Sequence, residues 1–270
     1  MSSYLITGAS RGLGFEFIRY LAQEPNNTVI GLVRNKSAAE AKAKEEKLDG
    51  VLFVEGQYTD LPSLKNAAEA VKKITGGSLD YLVNNAAIVS HESEYKTLGD
   101  FDDDFETLEK DIVDSLNVNL LGVIKTVHAF LPLLRNGKAK KVVTISTGMA
   151  DLDLINDTEI AFASPYSISK GAVNVAMAKF HALYAKEGFT FLSISPGYVA
   201  TERNLEEVSS EDTEKTGVLV AKFVQYAPHF TRPLTPVESV TAVLSVAHNA
   251  SVKKGDGGKF ISHLGTKQWL

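Results

Sequence analysis

Short, largely apolar runs alternate along the chain with longer stretches in which apolar residues recur every three or four positions. This switching between strand-like and helix-like periods sets the architecture. Residues 4–6 read as a strand that feeds a glycine-rich turn. Residues 15–24 follow as a helix, with Phe17, Ile18, Leu21 and Ala22 on one face and Pro25-Asn26-Asn27 as its stop. Residues 28–33 are apolar almost throughout, as expected of a strand covered on both faces of a parallel sheet. The pattern then predicts a charged helix over 37–48, a strand over 51–54 and a helix over 61–74 that ends at Gly76-Gly77. A fourth strand, 79–83, runs into Asn84-Asn85-Ala86-Ala87. Residues 92–109 carry an acidic run that reads as a solvated connection and a helix start, and 112–134 form a long apolar helix containing Asn117 and Asn119. Strands at 142–145 and 192–194 flank a helix over 166–186. Residues 201–229 read as irregular and polar, ahead of a helix over 237–247 and a last short strand near 259–262. Repeated strand-helix-strand units imply right-handed crossovers and a parallel sheet.

At 270 residues, with no repeat, low-complexity tract or linker, the chain is expected to form a single domain over 1–270. A net charge of -5 and a pI of about 5.7 argue against a nucleic-acid surface, and the densest basic run, Lys138, Lys140 and Lys141, reads as a solvated turn. With no cysteine, disulfides, thiolate catalysis and cysteine metal sites are excluded. The first strand starts within a few residues of Met1, leaving no room for a cleaved targeting peptide, and no apolar run approaches the roughly 20 residues of a membrane span. A cytoplasmic protein with no nucleic-acid or membrane partner is expected.

Two stretches carry candidate chemistry. In Thr7-Gly8-Ala9-Ser10-Arg11-Gly12-Leu13-Gly14, Gly8 can take a backbone shape closed to other residues, and Gly12 and Gly14 place no Cβ between the backbone and whatever lies above it. The N–H groups of Ser10 to Gly12 would face outward at the positive end of a helix dipole, which favours an anion by roughly 0.3 to 1 kcal/mol. An ordinary strand-turn-helix corner would look similar; the place on the first strand of an α/β chain points to a dinucleotide. The second stretch is Tyr166-Ser167-Ile168-Ser169-Lys170, where positions four apart put a phenol beside an ammonium. A free phenol has a pKa near 10, and lowering it by about three units would take roughly 4 kcal/mol of preferential stabilisation of the phenolate. Such a tyrosine exchanges protons near neutral pH. The spacing alone is common, but this pair opens the helix after the fifth strand, at the sheet edge that the glycine turn faces.

Ser146 and Thr147 end that strand, where a hydroxyl either bonds the same substrate oxygen or caps the next turn. Asn119, an amide within an apolar helix, is either a satisfied structural group or a link in a water chain to Lys170. The histidines, His91, His128, His181, His229, His248 and His263, show no metal-ligand spacing and receive no role. Ser195-Pro196-Gly197 lacks the Gly-x-Ser-x-Gly elbow of a serine hydrolase.

Over essentially its whole length the chain resembles the short-chain dehydrogenase/reductase family. Thr7, Gly8, Gly12 and Gly14 meet the family's glycine motif in full. Asn84, Asn85 and Ala86 meet its Asn-Asn-Ala-Gly motif, which Ala87 breaks. The helix asparagine matches Asn119, the Tyr-x-x-x-Lys pair Tyr166 and Lys170, and the Pro-Gly-x-x-x-Thr segment Pro196, Gly197 and Thr201. Residues 166–174 and the strand-end Arg34 resemble the subgroup of bacterial C-factor and the insect carbonyl reductase sniffer. The resemblance implies a three-layer Rossmann fold, a doubly wound parallel sheet of about seven strands with helices on both faces. It further implies hydride transfer between a nicotinamide cofactor and a small-molecule carbonyl or alcohol. Tyr166 would be the general acid in reduction, Lys170 would lower its pKa and hold the ribose, and Asn119 would carry a proton relay. The family usually ends its fifth strand with two serines, the second catalytic; alignment gives that place to Thr147, with Ser146 as the substitute.

NAD-preferring members carry an acid at the end of the second strand, where this chain has Arg34, and with Arg11 nearby the resemblance implies NADPH. Gln57 and Tyr58 would flank the adenine, and Asn85, Ala86 and Thr201 would line the ribose and carboxamide. Ser10, Leu13, Ala87 and Val199 complete the implied cofactor contacts. Residues 202–232 would cover the substrate, helped by 152–163; their Phe162, Phe223, Tyr226 and Phe230 suit a moderately large, partly aromatic carbonyl compound, although a lid packed on the core would have the same composition. A homodimer or homotetramer is implied through the faces of 112–134 and 166–186. Ala87 and the Ser146-Thr147 pair keep open a second reading, a cofactor-bound protein with a non-redox (dehydratase or cyclase) or regulatory role.

Overall fold

The computed structural model describes residues 2–201 and 210–270. Seven parallel strands form one sheet in the order β3-β2-β1-β4-β5-β6-β7. They are β1 Ser3–Thr7, β2 Thr28–Val33, β3 Val51–Glu55, β4 Tyr81–Asn84, β5 Lys141–Ile145, β6 Thr190–Ser195 and β7 Phe260–Ser262. Because side chains alternate along a strand, β1 sends Leu5 into one apolar layer and Tyr4 and Ile6 into the other. The first layer is closed by α3 (Leu61–Thr75), α5 (Val123–Asn136) and α7 (Ser164–Tyr184); the second by α1 (Gly12–Leu21), α2 (Lys36–Glu45) and α9 (Pro236–Asn249). The chain is therefore the expected doubly wound, three-layer fold. Strand order reverses at β1, with β2 on one side and β4 on the other, and the crevice beyond their carboxyl ends is the ligand position of such sheets.

Local chemistry explains most boundaries. The side chains of Asn35, Asp60 and Thr235 accept from backbone N–H groups at the starts of α2, α3 and α9, and Gly76 ends α3 in the left-handed region. α4 (Phe105–Leu116) begins within the expected helix start of 92–109, where Asp104 caps it, accepting from Thr107 N. It continues through a π-helical turn, Asn117–Gly122, into α5. By length and mean hydropathy the rod Phe105–Asn136 would pass for a membrane span, contrary to the sequence expectation, but half of its apolar stretch is buried inside the fold, where the rod packs on α3 and α7.

Two helices were not expected. α6 (Leu152–Thr158) is capped by Asp151, and α8 (Ser210–Tyr226) replaces much of the irregular stretch predicted for 201–229. Lys222 on α8 donates to the carbonyls of Thr158 and Glu159 at 2.7 and 2.9 Å, so a tertiary contact at the end of α6 holds this helix. Residues 202–209, part of the predicted substrate cover, lie outside the described residues.

Candidate active site

The glycine turn between β1 and α1 is built as a cradle, with one change of role. Gly8 sits at φ +66°, its backbone so close to β4's exit that a Cβ would lie 2.9 Å from Ala86 Cα. Gly12, at φ +55°, opens onto free space. Gly14 was expected to face the ligand, but it faces inward: a Cβ there would stand 2.2 Å from the Gly8 carbonyl oxygen and 2.5 Å from Asn85 Nδ2. Its task is the close packing of α1 on the sheet. Thr7 Oγ1 accepts from the N–H groups of Asn85 and Ala86, both at 3.0 Å, while Asn85 Nδ2 donates to the carbonyls of Thr7 and Gly8 at 3.1 and 3.3 Å. Among the described residues no side chain caps α1, whose first turn follows exposed Ser10 and Arg11 and opens at Gly12 onto free space. Leu13 packs against the core.

Arg34 is exposed just beyond β2, as is Gln57 beyond β3. The Asn35 side chain is occupied at the start of α2, accepting from Ala38 N at 3.0 Å and Ser37 Oγ at 2.9 Å. Tyr58 departs from expectation. Its ring is buried against Gly122, where a Cβ would come within 2.3 Å of it, and burial pushes its phenol pKa up. The side chain belongs to the core. Ala87 is exposed with a negative φ, so alanine meets no backbone strain in the place of the family's glycine.

Across the crevice, α7 starts at Ser164 after Ala163 in the left-handed region, φ +53°. Tyr166 and Lys170 stand one turn apart, the ammonium 5.7 Å from the phenol ring centroid. Lys170 is 2% exposed, donates to the Ile145 carbonyl at 2.7 Å, and has its pKa lowered to about 8 by burial. Ile145 ends β5, which leads directly into the two candidate hydroxyls. Ser146 points inward, its Oγ buried with no hydrogen-bond partner among the described residues. Thr147 is partly open, and its Oγ1 accepts from Met149 N at 3.2 Å. Thr147 thus caps the turn Gly148–Ala150 and still has its own proton to donate.

Asn119 lies in the π-turn with its amide fully engaged. Oδ1 accepts from Ile88 N, and Nδ2 donates to the Ile88 carbonyl and to Ser169 Oγ, all at 2.9 Å. Ser169, which sequence reasoning missed, donates in turn to the Tyr166 carbonyl at 2.7 Å. The only signal for it was its place one turn after Tyr166. Pro196 accepts from Ser239 Oγ at 2.7 Å, and Gly197 takes φ +82° against Leu234 and His263. Val199 is buried and bridges to Leu234, while Thr201 is partly exposed where the described stretch stops. The fold therefore brings Tyr166, Lys170, Thr147 and Asn119 to one side of the crevice and the glycine turn with Arg11 and Arg34 to the other.

The family profile described as short chain dehydrogenase matches residues 3–212. The chain belongs to the short-chain dehydrogenase family. This dehydrogenase is 48% identical over 271 residues to the short-chain dehydrogenase/reductase AacuF of Aspergillus aculeatus, with 100% of both chains covered. Among solved structures it is similar to an NADPH-bound carbonyl reductase from chicken fatty liver (TM-score 0.76, 26% identity, 98% of each chain). It also shares the fold of the carbonyl reductase Sniffer of D. melanogaster (TM-score 0.75, 20% identity, 98% of each chain). As a member of this family the dehydrogenase is an oxidoreductase.

Proposed function

We propose that this dehydrogenase reduces a ketone or aldehyde to an alcohol with NADPH, Tyr166 giving the proton. The observation that carries the proposal is the buried Lys170 ammonium held one turn from Tyr166 by the carbonyl of Ile145, the last residue of β5 and two positions before Thr147. The residues present suit a dinucleotide phosphate: open space over Gly12, an uncapped α1, and exposed Arg11 and Arg34 where a carboxylate would repel a ribose phosphate. Gly8, Gly12 and the α1 N–H groups would hold the pyrophosphate, Arg34 and Arg11 the adenosine phosphate, and Lys170 the nicotinamide ribose.

When bound, the nicotinamide supplies the hydride. Thr147 donates a hydrogen bond to the substrate carbonyl and fixes its direction. Tyr166 transfers its phenolic proton to the same oxygen as charge builds there, and Lys170 stabilises the phenolate left behind. Asn119 holds Ile88 and Ser169 against this pair, its amide serving as a satisfied positioning group. The non-redox reading drew on Ala87 and Thr147; neither removes a part that reduction needs, since Ala87 is unstrained and threonine keeps the hydroxyl. Tyr166→Phe is expected to lower carbonyl reduction by about 100-fold or more while NADPH binding persists. Full activity in that variant would defeat the assignment.

The exposed apolar side chains Phe105 and Val113 of α4, Leu121 of the π-turn, and Ile168, Val175 and Leu183 of α7 support pairing of these faces in a homodimer or homotetramer. Sedimentation equilibrium tests it, and a monomer at all concentrations would refute it.

A further inference from the structure

The end of the chain folds back over the loop that carries Thr147. Trp269 is 2% exposed and stacks on Phe260 with ring centroids 4.5 Å apart. Gly148, the residue after Thr147, is pressed against it: a Cβ there would lie 2.9 Å from Trp269 Cβ. From the other side, Ser195 Oγ at the end of β6 accepts the Gly148 N–H at 3.0 Å. Lys267 donates to Asp151 Oδ2 at 2.7 Å, while Asp151 Oδ1 accepts from Leu154 N at 3.1 Å. The Lys267 ammonium also lies 5.0 and 5.1 Å from the ring centroids of Phe260 and Trp269. The same segment reaches α8 and the residues after it: Tyr226 Oη donates to the Lys267 carbonyl at 3.4 Å, and the His229 ring bonds the Leu270 carbonyl at 3.1 Å.

Residues 147–151 are therefore clamped between β6 inside and residues 267–270 outside. The clamp matters because Thr147 Oγ1 is oriented by Met149 N, within the turn that Trp269 and Lys267 hold in place. A reacting group displaced by about 1 Å can lose about 100-fold in rate with binding intact. We propose that residues 267–270 form a positioning element of the active site, in which Trp269 against Gly148 and Lys267 on Asp151 fix the direction of the Thr147 hydroxyl. The proposal rests on the reading of Thr147 as the carbonyl-orienting group. Trp269 and Lys267 touch no reacting atom in it; they act through the loop.

The test uses the full chain, NADPH, and whichever aromatic aldehyde or ketone of a panel the wild type reduces fastest. Trp269→Ala is expected to lower kcat by about 10- to 100-fold, with the NADPH Kd, read by cofactor fluorescence, within about twofold of wild type. Trp269→Phe, which keeps a ring over Gly148, should recover most of that loss. Gly148→Ala forces the same contact apart, so its loss and that of Trp269→Ala should be non-additive when combined. Wild-type kcat in Trp269→Ala, or losses that simply multiply in the double variant, overturns the proposal. If Trp269→Ala does not fold, Lys267→Gln takes its place: a severalfold lower kcat with unchanged NADPH Kd supports the clamp, and an unchanged kcat overturns it. Full activity in Thr147→Val would sink the reading beneath the proposal and the proposal with it. An inactive Thr147→Val beside a fully active Trp269→Ala overturns the proposal alone.

Discussion

Replacing Lys170 by methionine separates what this lysine does for catalysis from what it does to stability. The ammonium is 2% exposed, donates to the Ile145 carbonyl at 2.7 Å, and has its pKa lowered by burial from 10.5 to about 8. Unfolding restores an ordinary lysine, so between about pH 8 and 10.5 the unfolded chain binds more protons than the folded one. Stability therefore rises with pH through that window, and below it the folded state bears the whole penalty of the buried charge. At about 1.4 kcal/mol per pH unit the penalty is roughly 3 kcal/mol. Lys170→Met removes it but leaves the Ile145 carbonyl unpaired, which costs about 1 to 3 kcal/mol. The two nearly offset each other at neutral pH, where the variant should match the wild type or exceed it by up to about 2 kcal/mol. As the pH approaches 10.5 the penalty fades in the wild type alone, and the variant should become the less stable of the two. Urea unfolding of both proteins from about pH 7 to about pH 10, with equal m values, reads the swing. A stability difference that stays constant with pH refutes the reasoning, and carbonyl reduction by the variant should be nearly lost at every pH.

Thr147→Val should reduce kcat by about 100-fold or more, whereas Ser146→Ala, which deletes a buried hydroxyl without a partner, should keep activity and gain up to about 1 kcal/mol in thermal unfolding. The reverse ranking would move the catalytic hydroxyl to Ser146. Charge reversal at Arg34 and Arg11 should shift the kcat/KM ratio of NADPH to NADH by at least about 100-fold towards NADH, and an unchanged ratio would defeat the cofactor assignment. Gly14→Ala should destabilise the fold by about 2 kcal/mol or more because its Cβ meets backbone 2.2 Å away, and denaturant midpoints equal to wild type would refute that packing role.

The sheet was legible because its strands are buried on both faces and its helices on one, so period and composition agree along most of the chain. The glycine turn and the Tyr166-Lys170 pair were legible because their chemistry lies in local spacing. What stayed hidden depends on partners distant in sequence. α8 is held by Lys222 on the carbonyls of α6, and its apolar residues crowd into 218–224 instead of recurring along the whole helix. Gly14 and Tyr58 were assigned to the ligand because the motif does not say which way a residue points, and packing turned both inward. Trp269, the chain's single tryptophan, carried no local pattern linking it to Gly148.

The bonds among Thr7, Gly8, Asn85 and Ala86 weld the exits of β1 and β4 into one rigid seam, and Lys170 with Tyr166 lies on the far side of it. Arg34 and Gln57 lie outside the seam, exposed at the ends of β2 and β3. On the proposed assignment, selection can redraw the adenosine end of the cleft residue by residue while the hydride end keeps its geometry, which would make coenzyme preference an evolutionarily separable trait.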